Sequence, residues 1–327
     1  MDRIAVLIPC FNESQTIRKV VTDWKRIMPE AVIYVYDNNS SDGTDKIAKE
    51  AGAVVRYEYM QGKGNVIRRM FREIDAMCYI MVDGDDTYPA EAGPLMAEEV
   101  INNNIDMVIG DRLSSTYFTE NKRPFHNLGN RVTRFLINSI FNTDIKDIMT
   151  GLRAFSYKFV KSFPVLSGGF ELETEMTIHA VDKRMSIKNC VIEYRDRPEN
   201  SFSKLNTVSD GIKVIQTIIR LVKNYKPFQF YGIISLLGLV ISVLLFIFGF
   251  FEYPKSESVS ILSTLVVSAF LAVTSLLSLA AGSILDTMVY KGKQDFEFRL
   301  QIVEHFFKEE KSKEMDKEEK SKEMDNE

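Results

Sequence analysis

The stretch "CYIMVDGDDTYP" (residues 78–89) joins a short apolar run to a cluster of carboxylates. The apolar run is typical of a strand buried in a sheet. The acidic part places Asp83, Asp85 and Asp86 within four positions. Because ligands of open parallel sheets bind at the carboxyl ends of the strands, a strand that ends in clustered carboxylates predicts a binding site.

The sequence on both sides of this stretch alternates between strand-like and helix-like segments. Short apolar runs predict strands at residues 4–9, 32–37, 53–59, 78–83 and 106–110. Helical spacing of apolar residues predicts helices at residues 17–28, 44–51, 65–77 and 91–103. This alternation predicts an α/β fold, a mostly parallel sheet with right-handed crossovers.

Polar segments follow the predicted strands and are expected to converge on one edge of the sheet. They read "PCFNE" (9–13), "DNNSSDGT" (37–44) and "GKGNVIR" (62–68). The first of them lacks the GxGxxG fingerprint of dinucleotide-binding folds, and the chain has no GxxxxGK[ST] phosphate loop. Closely spaced aspartates instead offer hard oxygen ligands to Mg²⁺ or Mn²⁺, which could bridge a diphosphate.

Two long stretches carry no charge and predict a transmembrane hairpin. They span residues 231–251 and 258–285, and about 20 apolar residues suffice to cross a bilayer. Lysines flank the outer ends of the pair, whereas the connector carries a single lysine, Lys255. The positive-inside bias therefore predicts an integral membrane protein whose two termini and N-terminal domain are cytoplasmic. Residues 207–228 predict an amphipathic helix at the membrane surface.

Charge and cysteine content narrow the chemistry further. The chain has a net charge of −4, but residues 109–160 hold eight Lys or Arg against four Asp or Glu, so an anion is expected to meet this segment. No nucleic acid partner is expected. Cys10, Cys78 and Cys190 show no CxxC spacing and predict buried free thiols. The segment 290–327 contains a tandem repeat, "KEEKSKEMD", and predicts a charged cytoplasmic tail.

Seven motifs in order resemble family 2 glycosyltransferases of the GT-A fold. Besides the four segments quoted above, they are "DIMTGLRAF" (147–155), "GFELETEM" (169–176) and "YRDRPENSFSKL" (194–205). The last three are similar to the branch of dolichyl-phosphate mannosyltransferase and the bacterial polyprenyl-phosphate glycosyltransferases. The resemblance covers residues 3–225. It implies a cytoplasmic GT-A domain over residues 1–206 that moves a sugar, with inversion, from a nucleotide donor to a polyprenyl phosphate.

The resemblance also implies roles for residues of the donor site. The residues implied for the nucleotide are Pro9, Asn12, Glu13, Asp37, Lys63, Arg68 and Asp83, with Asp37 on the base. Asp85 is implied as the main metal ligand, and Asp83 and Thr87 as contributors. Two positions depart from the family pattern. Asn38 stands where the family often has a second aspartate, and Thr87 where mannosyltransferase relatives often have glutamine.

The acceptor would be a phosphate monoester whose second pKa is near about 6, so at neutral pH it is already a dianionic nucleophile. It needs positioning more than deprotonation, and arginine grips phosphate in a bidentate manner. The acceptor candidates are Arg112, Arg131, Arg153, Arg197, Ser203 and Lys204. The resemblance places Asp147 near the reacting centre, which makes Asp147, Arg112 and Asp85 the catalytic candidates. Glu173 and Glu175 are the alternatives to Asp147.

The residues leave several alternatives open. UDP-glucose, UDP-N-acetylglucosamine and GDP-mannose all remain as donors, with a UDP sugar preferred because of Thr87. A processive polysaccharide synthase shares the GT-A core, but such enzymes carry a QxxRW motif, and the one tryptophan here is Trp24. A membrane scaffold that binds nucleotide sugars without turnover is the remaining class. A homo-oligomer is compatible with the sequence.

Overall fold

The computed structural model describes residues 1–114, 134–135, 137–166, 172–195, 219–220, 222–252 and 259–324. The chain divides into two compact units. The first unit comprises Met1–Thr207 together with Phe296–Glu327, and the second comprises Val208–Asp295.

The first unit is built on a seven-stranded sheet. Its strands are β1 (Asp2–Cys10), β2 (Val32–Asp37), β3 (Val54–Tyr57), β4 (Ala76–Met81), β5 (Met107–Asp111), β6 (Arg153–Ser156) and β7 (Ile187–Val191). The strand order is β3-β2-β1-β4-β6-β5-β7. β1, β2, β3 and β4 run parallel, as do β5 and β7, whereas β6 is antiparallel to both of its neighbours. The mostly parallel sheet predicted from the sequence is confirmed.

Helices connect the strands of this sheet. They are α1 (Ile17–Ile27), α2 (Thr44–Glu50), α3 (Lys63–Glu73), a 3₁₀ turn (Ala90–Ala92) followed by α4 (Gly93–Ile101), α5 (Tyr157–Ser162) and α6 (Leu172–Asp182). Trp24 of α1 and Met28, which directly follows α1, belong to the same buried apolar cluster as residues of β1. Burial of one large apolar side chain is worth roughly 1.5–3 kcal/mol, so this layer fixes the position of the strand ends that carry the polar segments.

The three cysteines are buried free thiols, as the sequence predicted. Burial is the main cause that raises the pKa of Cys10 well above its usual value, and the neighbouring carboxylates of Glu13 and Asp37 raise it further. The thiolate is the nucleophilic form of cysteine, and a raised pKa disfavours it. Cys10 is therefore a packing residue at the end of β1.

The C-terminal part of the last helix, α8 (Val259–Met324), belongs to the first unit from Phe296 onward. The ring of Phe296 is buried edge-on against His179 of α6, with 5.3 Å between ring centroids. Phe307 stacks on Tyr157 of α5 at 5.1 Å. From Phe296 onward, α8 therefore contacts α5 and α6 of the first unit, a packing that the predicted charged tail did not include.

The second unit contains α7 (Pro227–Glu252) and the first part of α8. Both helices are long and apolar enough to cross a membrane, with mean hydropathies of 2.9 and 2.1, and only 17% of each apolar window is buried. A core helix of a soluble protein is mostly buried, so the exposed apolar surface fits lipid better than water. Of the predicted amphipathic helix at 207–228, residues 207–218 and 221 lie outside the described residues, and most of the described remainder is helical.

Small residues form the contact between α7 and α8. We call this set the small-residue seam: Gly238, Ser242, Ser268, Ser275 and Gly282. The hydroxyl of Ser242 donates to the carbonyl of Ser268 at 2.7 Å. A Cβ at Gly238 would overlap Oγ of Ser275, and one at Gly282 would lie 2.9 Å from Cβ of Tyr231. Small residues let helix backbones approach closely, which is the usual basis of helix pairing in membranes.

Candidate active site

The carboxyl ends of β1, β2 and β4 lie side by side at one edge of the sheet. β1 and β2 stay in register up to the pair Cys10 and Asp37, and β1 pairs with β4 up to Leu7 and Met81. The polar segments that follow these strands therefore start next to one another, as parallel strands require.

The segments after β1 and β2 are hydrogen-bonded to each other. The backbone N–H of Asn12 donates to Oγ of Ser40 at 2.9 Å, and Oδ1 of Asn12 accepts from the N–H of Ser41 at 2.9 Å. The N–H of Glu13 donates to Oγ1 of Thr44 at 2.9 Å. Asn12 has a φ of 56°, a left-handed conformation that asparagine tolerates better than most residues. These bonds join the two segments into one continuous polar edge. We call this edge, together with the polar residues of α3 and of the loop after β4 that lie beside it, the rim.

Asp37 is the buried carboxylate of this rim. Its Oδ1 accepts from the N–H of Ser40 at 3.0 Å, and its Oδ2 is buried without a hydrogen-bond partner among the described residues. A buried acceptor without a partner is costly, so this atom suits a ligand that brings its own N–H or O–H. Pro9 lies within β1 opposite Tyr36, one residue before the pair Cys10 and Asp37.

Lys63, the first residue of α3, bridges two carboxylates from distant parts of the chain. Its Nζ lies 2.6 Å from Oδ1 of Asp83 and 2.7 Å from Oε1 of Glu173. Burial alone would lower the pKa of Lys63, but the attraction of both carboxylates outweighs it and raises the pKa. Lys63 is therefore a fixed positive charge at the rim. Glu175, the other acidic alternative on α6, accepts from the N–H of Leu166 at 3.2 Å.

The loop after β4 is held against the loop before β6. A Cβ at Gly151 would overlap Oδ2 of Asp83, so only glycine leaves room for that carboxylate. Gly84 is also confined, though less tightly, since its Cβ would lie 2.9 Å from Sγ of Cys10. The carbonyl of Gly84 accepts from Oγ1 of Thr16 at 2.6 Å. These contacts fix Asp83 and Asp85 on either side of Gly84.

Asp85 and Thr87 form a buried pair. Oγ1 of Thr87 donates to Oδ1 of Asp85 at 2.6 Å. Thr87 is 1% exposed and Asp85 is 4% exposed. No group of three or more His, Cys, Asp or Glu side chains within the described ranges could by itself hold a metal ion. Mg²⁺ and similar ions commonly bind through one or two carboxylates and the phosphates of the substrate. Asp83 and Asp85 fit a site of that kind.

Arg112, which follows β5, is buried in a network with Asp147. Its Nε lies 2.7 Å from Oδ2 of Asp147, which is fully buried. Its Nη1 donates to the hydroxyl of Tyr88 at 3.3 Å and its Nη2 to the carbonyl of Met149 at 3.1 Å. The ring of Tyr194 covers the guanidinium at 5.4 Å. The structure thus brings two of the three catalytic candidates into direct contact.

Two predicted basic residues make only internal contacts among the described residues. Arg153 on β6 is fully buried and donates to the carbonyls of Ile148 and Thr150 and to Oγ1 of Thr177. Burial lowers the pKa of Arg153 to about 10. Arg68 on α3 donates to the carbonyl of Val165 at 2.9 Å. For Arg153, this position fits support of the loop that carries Asp147 better than contact with a lipid phosphate.

Four acceptor candidates lie outside the described residues: Arg131, Arg197, Ser203 and Lys204. Sequence reasoning overlooked Tyr88, whose hydroxyl accepts from the N–H of Gly151 at 2.8 Å and from Arg112. The signal that could have found Tyr88 is its place inside the carboxylate segment, three residues after Asp85.

The sheet order and the polar residues at the strand ends define a protein of the GT-A fold class. The sequence model described as "Glycosyl transferase family 2" matches residues 5–163. Glycosyltransferase AglJ of Haloferax volcanii is 31% identical over 232 residues, which covers 71% of this chain and 76% of that protein. The chain belongs to the family 2 glycosyltransferases and is an enzyme of that kind, which confirms the resemblance drawn from the motifs.

Two further comparisons bear on this family. A dolichyl-phosphate hexose transferase of Haloferax volcanii is 28% identical over 219 residues, covering 67% of this chain and 93% of that protein. The crystal structure of glucosyl-3-phosphoglycerate synthase from Mycobacterium tuberculosis with Mn²⁺, UDP-glucose and phosphoglyceric acid superposes with a TM-score of 0.52 and 20% identity. The superposition covers 68% of this chain and 79% of the synthase, and it confirms the GT-A fold.

Proposed function

We propose that this enzyme transfers a hexose from a nucleotide sugar to a polyprenyl phosphate at the cytoplasmic face of a membrane. The observation that carries the proposal is the rim of Asp37, Lys63, Asp83 and Asp85 in a chain with two helices apolar enough to cross a membrane. A donor site and a lipid-facing segment in one chain suit a lipid acceptor.

The donor nucleotide binds along the rim. Asp37 receives the base through its buried Oδ2, and Asn12 and Glu13 form the adjoining wall with Pro9 behind them. Lys63 supplies a fixed positive charge beside Asp83, which suits a diphosphate that approaches the end of β4. A UDP sugar is preferred over GDP-mannose because of Thr87.

A divalent ion, Mg²⁺ or Mn²⁺, would be held by Asp83 and Asp85, with Thr87 orienting Asp85. When bound, such an ion neutralises the diphosphate leaving group. The proposal is supported by the hard oxygen donors at this position and by the Mn²⁺ and UDP-glucose in the related synthase structure.

The acceptor phosphate attacks the anomeric carbon directly, which inverts its configuration and converts an α-linked donor into a β-linked product. The dianion needs no general base. The Arg112–Asp147 pair orients the acceptor: Asp147 fixes the guanidinium, and a fixed guanidinium loses little conformational freedom when it binds an anion. Arg131, Arg197, Ser203 and Lys204 remain the proposed contacts to the lipid phosphate.

The experiment uses the purified full chain in detergent micelles with dolichyl or undecaprenyl phosphate. Radiolabelled UDP-glucose, UDP-N-acetylglucosamine and GDP-mannose are supplied separately, with Mg²⁺, with Mn²⁺ and with EDTA. We expect a chloroform-soluble, mild-acid-labile product from one donor, and its loss with EDTA. Labelled polymer, or nucleotide binding without any transfer, would overturn the proposal.

A further inference from the structure

Asn38 is the first residue after β2 and is only 3% exposed. Its backbone N–H donates to the carbonyl of Cys10 at 2.9 Å, which continues the pairing of β1 with β2 by one residue. The side chain is therefore attached to backbone that is still hydrogen-bonded to β1, immediately beside Asp37.

The side-chain amide of Asn38 holds the segment that leads from β3 into α3. Its Nδ2 donates to the carbonyl of Glu58 at 2.6 Å and to the carbonyl of Met60 at 2.9 Å. Its Oδ1 accepts from the backbone N–H of Gly62 at 2.7 Å. One side chain thus fixes three backbone groups within five residues of loop.

Only an amide can make this set of bonds. Two carbonyl oxygens require a donor on one side of the group, and the N–H of Gly62 requires an acceptor on the other. An aspartate at position 38 would have the same shape but would place a carboxylate oxygen against two carbonyl oxygens. The loss of both donors and the electrostatic repulsion would release the loop.

The loop ends where the fixed positive charge of the site begins. Gly62 has a φ of 129°, a conformation that favours glycine, and Lys63 follows as the first residue of α3. The Nζ of Lys63 reaches Asp83 at 2.6 Å and Glu173 at 2.7 Å. Because Asn38 fixes the backbone one residue before Lys63, it determines where the lysine side chain starts.

We propose that Asn38 is a positioning residue, which places Lys63 against Asp83 and thereby sets the affinity for the nucleotide donor. The inference rests on the proposed function, in which Lys63 and Asp83 belong to the donor site. An enzyme with aspartate at this position would need another arrangement of the loop before α3.

The test compares Asn38→Asp with Asn39→Asp in the purified full chain. The control makes the same chemical change one residue further on, where the side chain is exposed and donates to the carbonyl of Tyr59 at 2.9 Å. The measurements are kcat and KM for the active nucleotide sugar, and titration calorimetry of UDP and GDP with Mn²⁺. We expect Asn38→Asp to weaken donor and nucleotide affinity roughly tenfold with a smaller change in kcat, and Asn39→Asp to change affinity less than about twofold.

A double-mutant cycle with Lys63→Met tests whether Asn38 acts through the lysine. We expect Asn38→Asp to weaken nucleotide binding by less than about twofold once Lys63 has been replaced, because the group that it positions is gone. Equal effects in both backgrounds would overturn the inference and leave Asn38 as a support of the fold alone.

Two different outcomes would show whether the role of Asn38 or the proposed function is wrong. If the unaltered chain neither binds UDP or GDP nor transfers a sugar, the proposed function is wrong and the inference falls with it. If the unaltered chain is active and the two aspartate variants behave alike, only the assignment of Asn38 is wrong. Should Asn38→Asp fail to fold, the neutral Asn38→Ser, which removes both amide donors, takes its place with the same deciding outcomes.

Discussion

Gly151 leaves the space that the carboxylate of Asp83 occupies, since a Cβ at position 151 would overlap Oδ2 of Asp83. The loop before β6 and the loop after β4 therefore fit together only with glycine at this point. The carboxylate of Asp83 in turn binds Lys63. The absence of a side chain at position 151 therefore gives Asp83 the space to form this ion pair.

We expect Gly151→Ala to lower kcat/KM by roughly tenfold or more, because a shift of about 1 Å at a reacting site can cost as much as about a hundredfold. The melting temperature should fall by only a few degrees, since the added methyl displaces the end of one side chain. Gly292→Ala is the control, because nothing lies within 4 Å of a Cβ at that position. Unchanged kcat/KM in Gly151→Ala would contradict the importance of the Asp83 position.

Asp85 and its neighbour Asp86 should respond differently to the removal of their charge. Asp85→Asn should abolish the metal-dependent transfer, because a neutral amide replaces the charged ligand. Asp86→Asn removes the same charge one residue away, where the carboxylate faces Lys19 at 2.7 Å, and should keep most of the activity. The measurement is the rate of sugar transfer as a function of Mn²⁺ concentration. Similar losses of activity in both variants would mean that the removal of a negative charge from this segment, rather than the removal of a metal ligand, explains the effect.

The stability of the protein should depend on pH through His179. Burial, helped by Lys183 and opposed by Asp182, lowers the pKa of His179 from 6.5 to about 4. Between these values the unfolded chain binds the proton and the folded chain does not. The free energy of unfolding should therefore fall as the pH drops from about 6.5 to about 4, by up to about 3 kcal/mol.

His179→Leu removes this proton linkage. Melting temperatures of the full chain in detergent, recorded from pH 7 down to about pH 4, should decline less steeply in the variant than in the parent. Parallel curves would show that His179 is not protonated on unfolding in this range.

The packing of the C-terminal segment against α6 should contribute to the stability of the first unit. Phe296→Ala removes a buried ring that contacts His179 and should destabilise the first unit by about 3 kcal/mol. Phe298→Ala is the matched control, because that ring is 67% exposed. The readouts are the melting temperature and the rate of proteolysis within the segment after residue 296. Equal behaviour of the two variants would show that the segment is not packed on α6.

The strands on one side of the sheet could be predicted closely from the sequence. The run "VIYVYD" coincides with β2 because a strand buried on both faces is apolar along its whole length, and the polar segment after it marks its end. β6 and β7 were not predicted, although β6 lies between β4 and β5. β6 begins with Arg153, whose charge is accommodated by carbonyl groups and a threonine that no local pattern reveals.

Residues of the site could be predicted from the sequence, but the contacts between them could not. Strand ends identify Asp37 and Asp83, since the edge of a parallel sheet collects whatever follows its strands. The contact of Lys63 with Glu173 joins residues 110 positions apart, and nothing near either residue predicts it. The sequence showed Asn38 only as a departure from a family pattern. Its role depends on the hydrogen bonds that its side chain makes with three backbone groups, which the sequence does not reveal.

The small-residue seam has a consequence for what can pass between α7 and α8. Because Gly238 faces Ser275 and the hydroxyl of Ser242 reaches the backbone of α8, the two helices leave no lumen between them. A growing sugar chain could not be threaded through this hairpin. In the proposed function, the hairpin would therefore serve as an anchor for the enzyme and not as a conduit for its product.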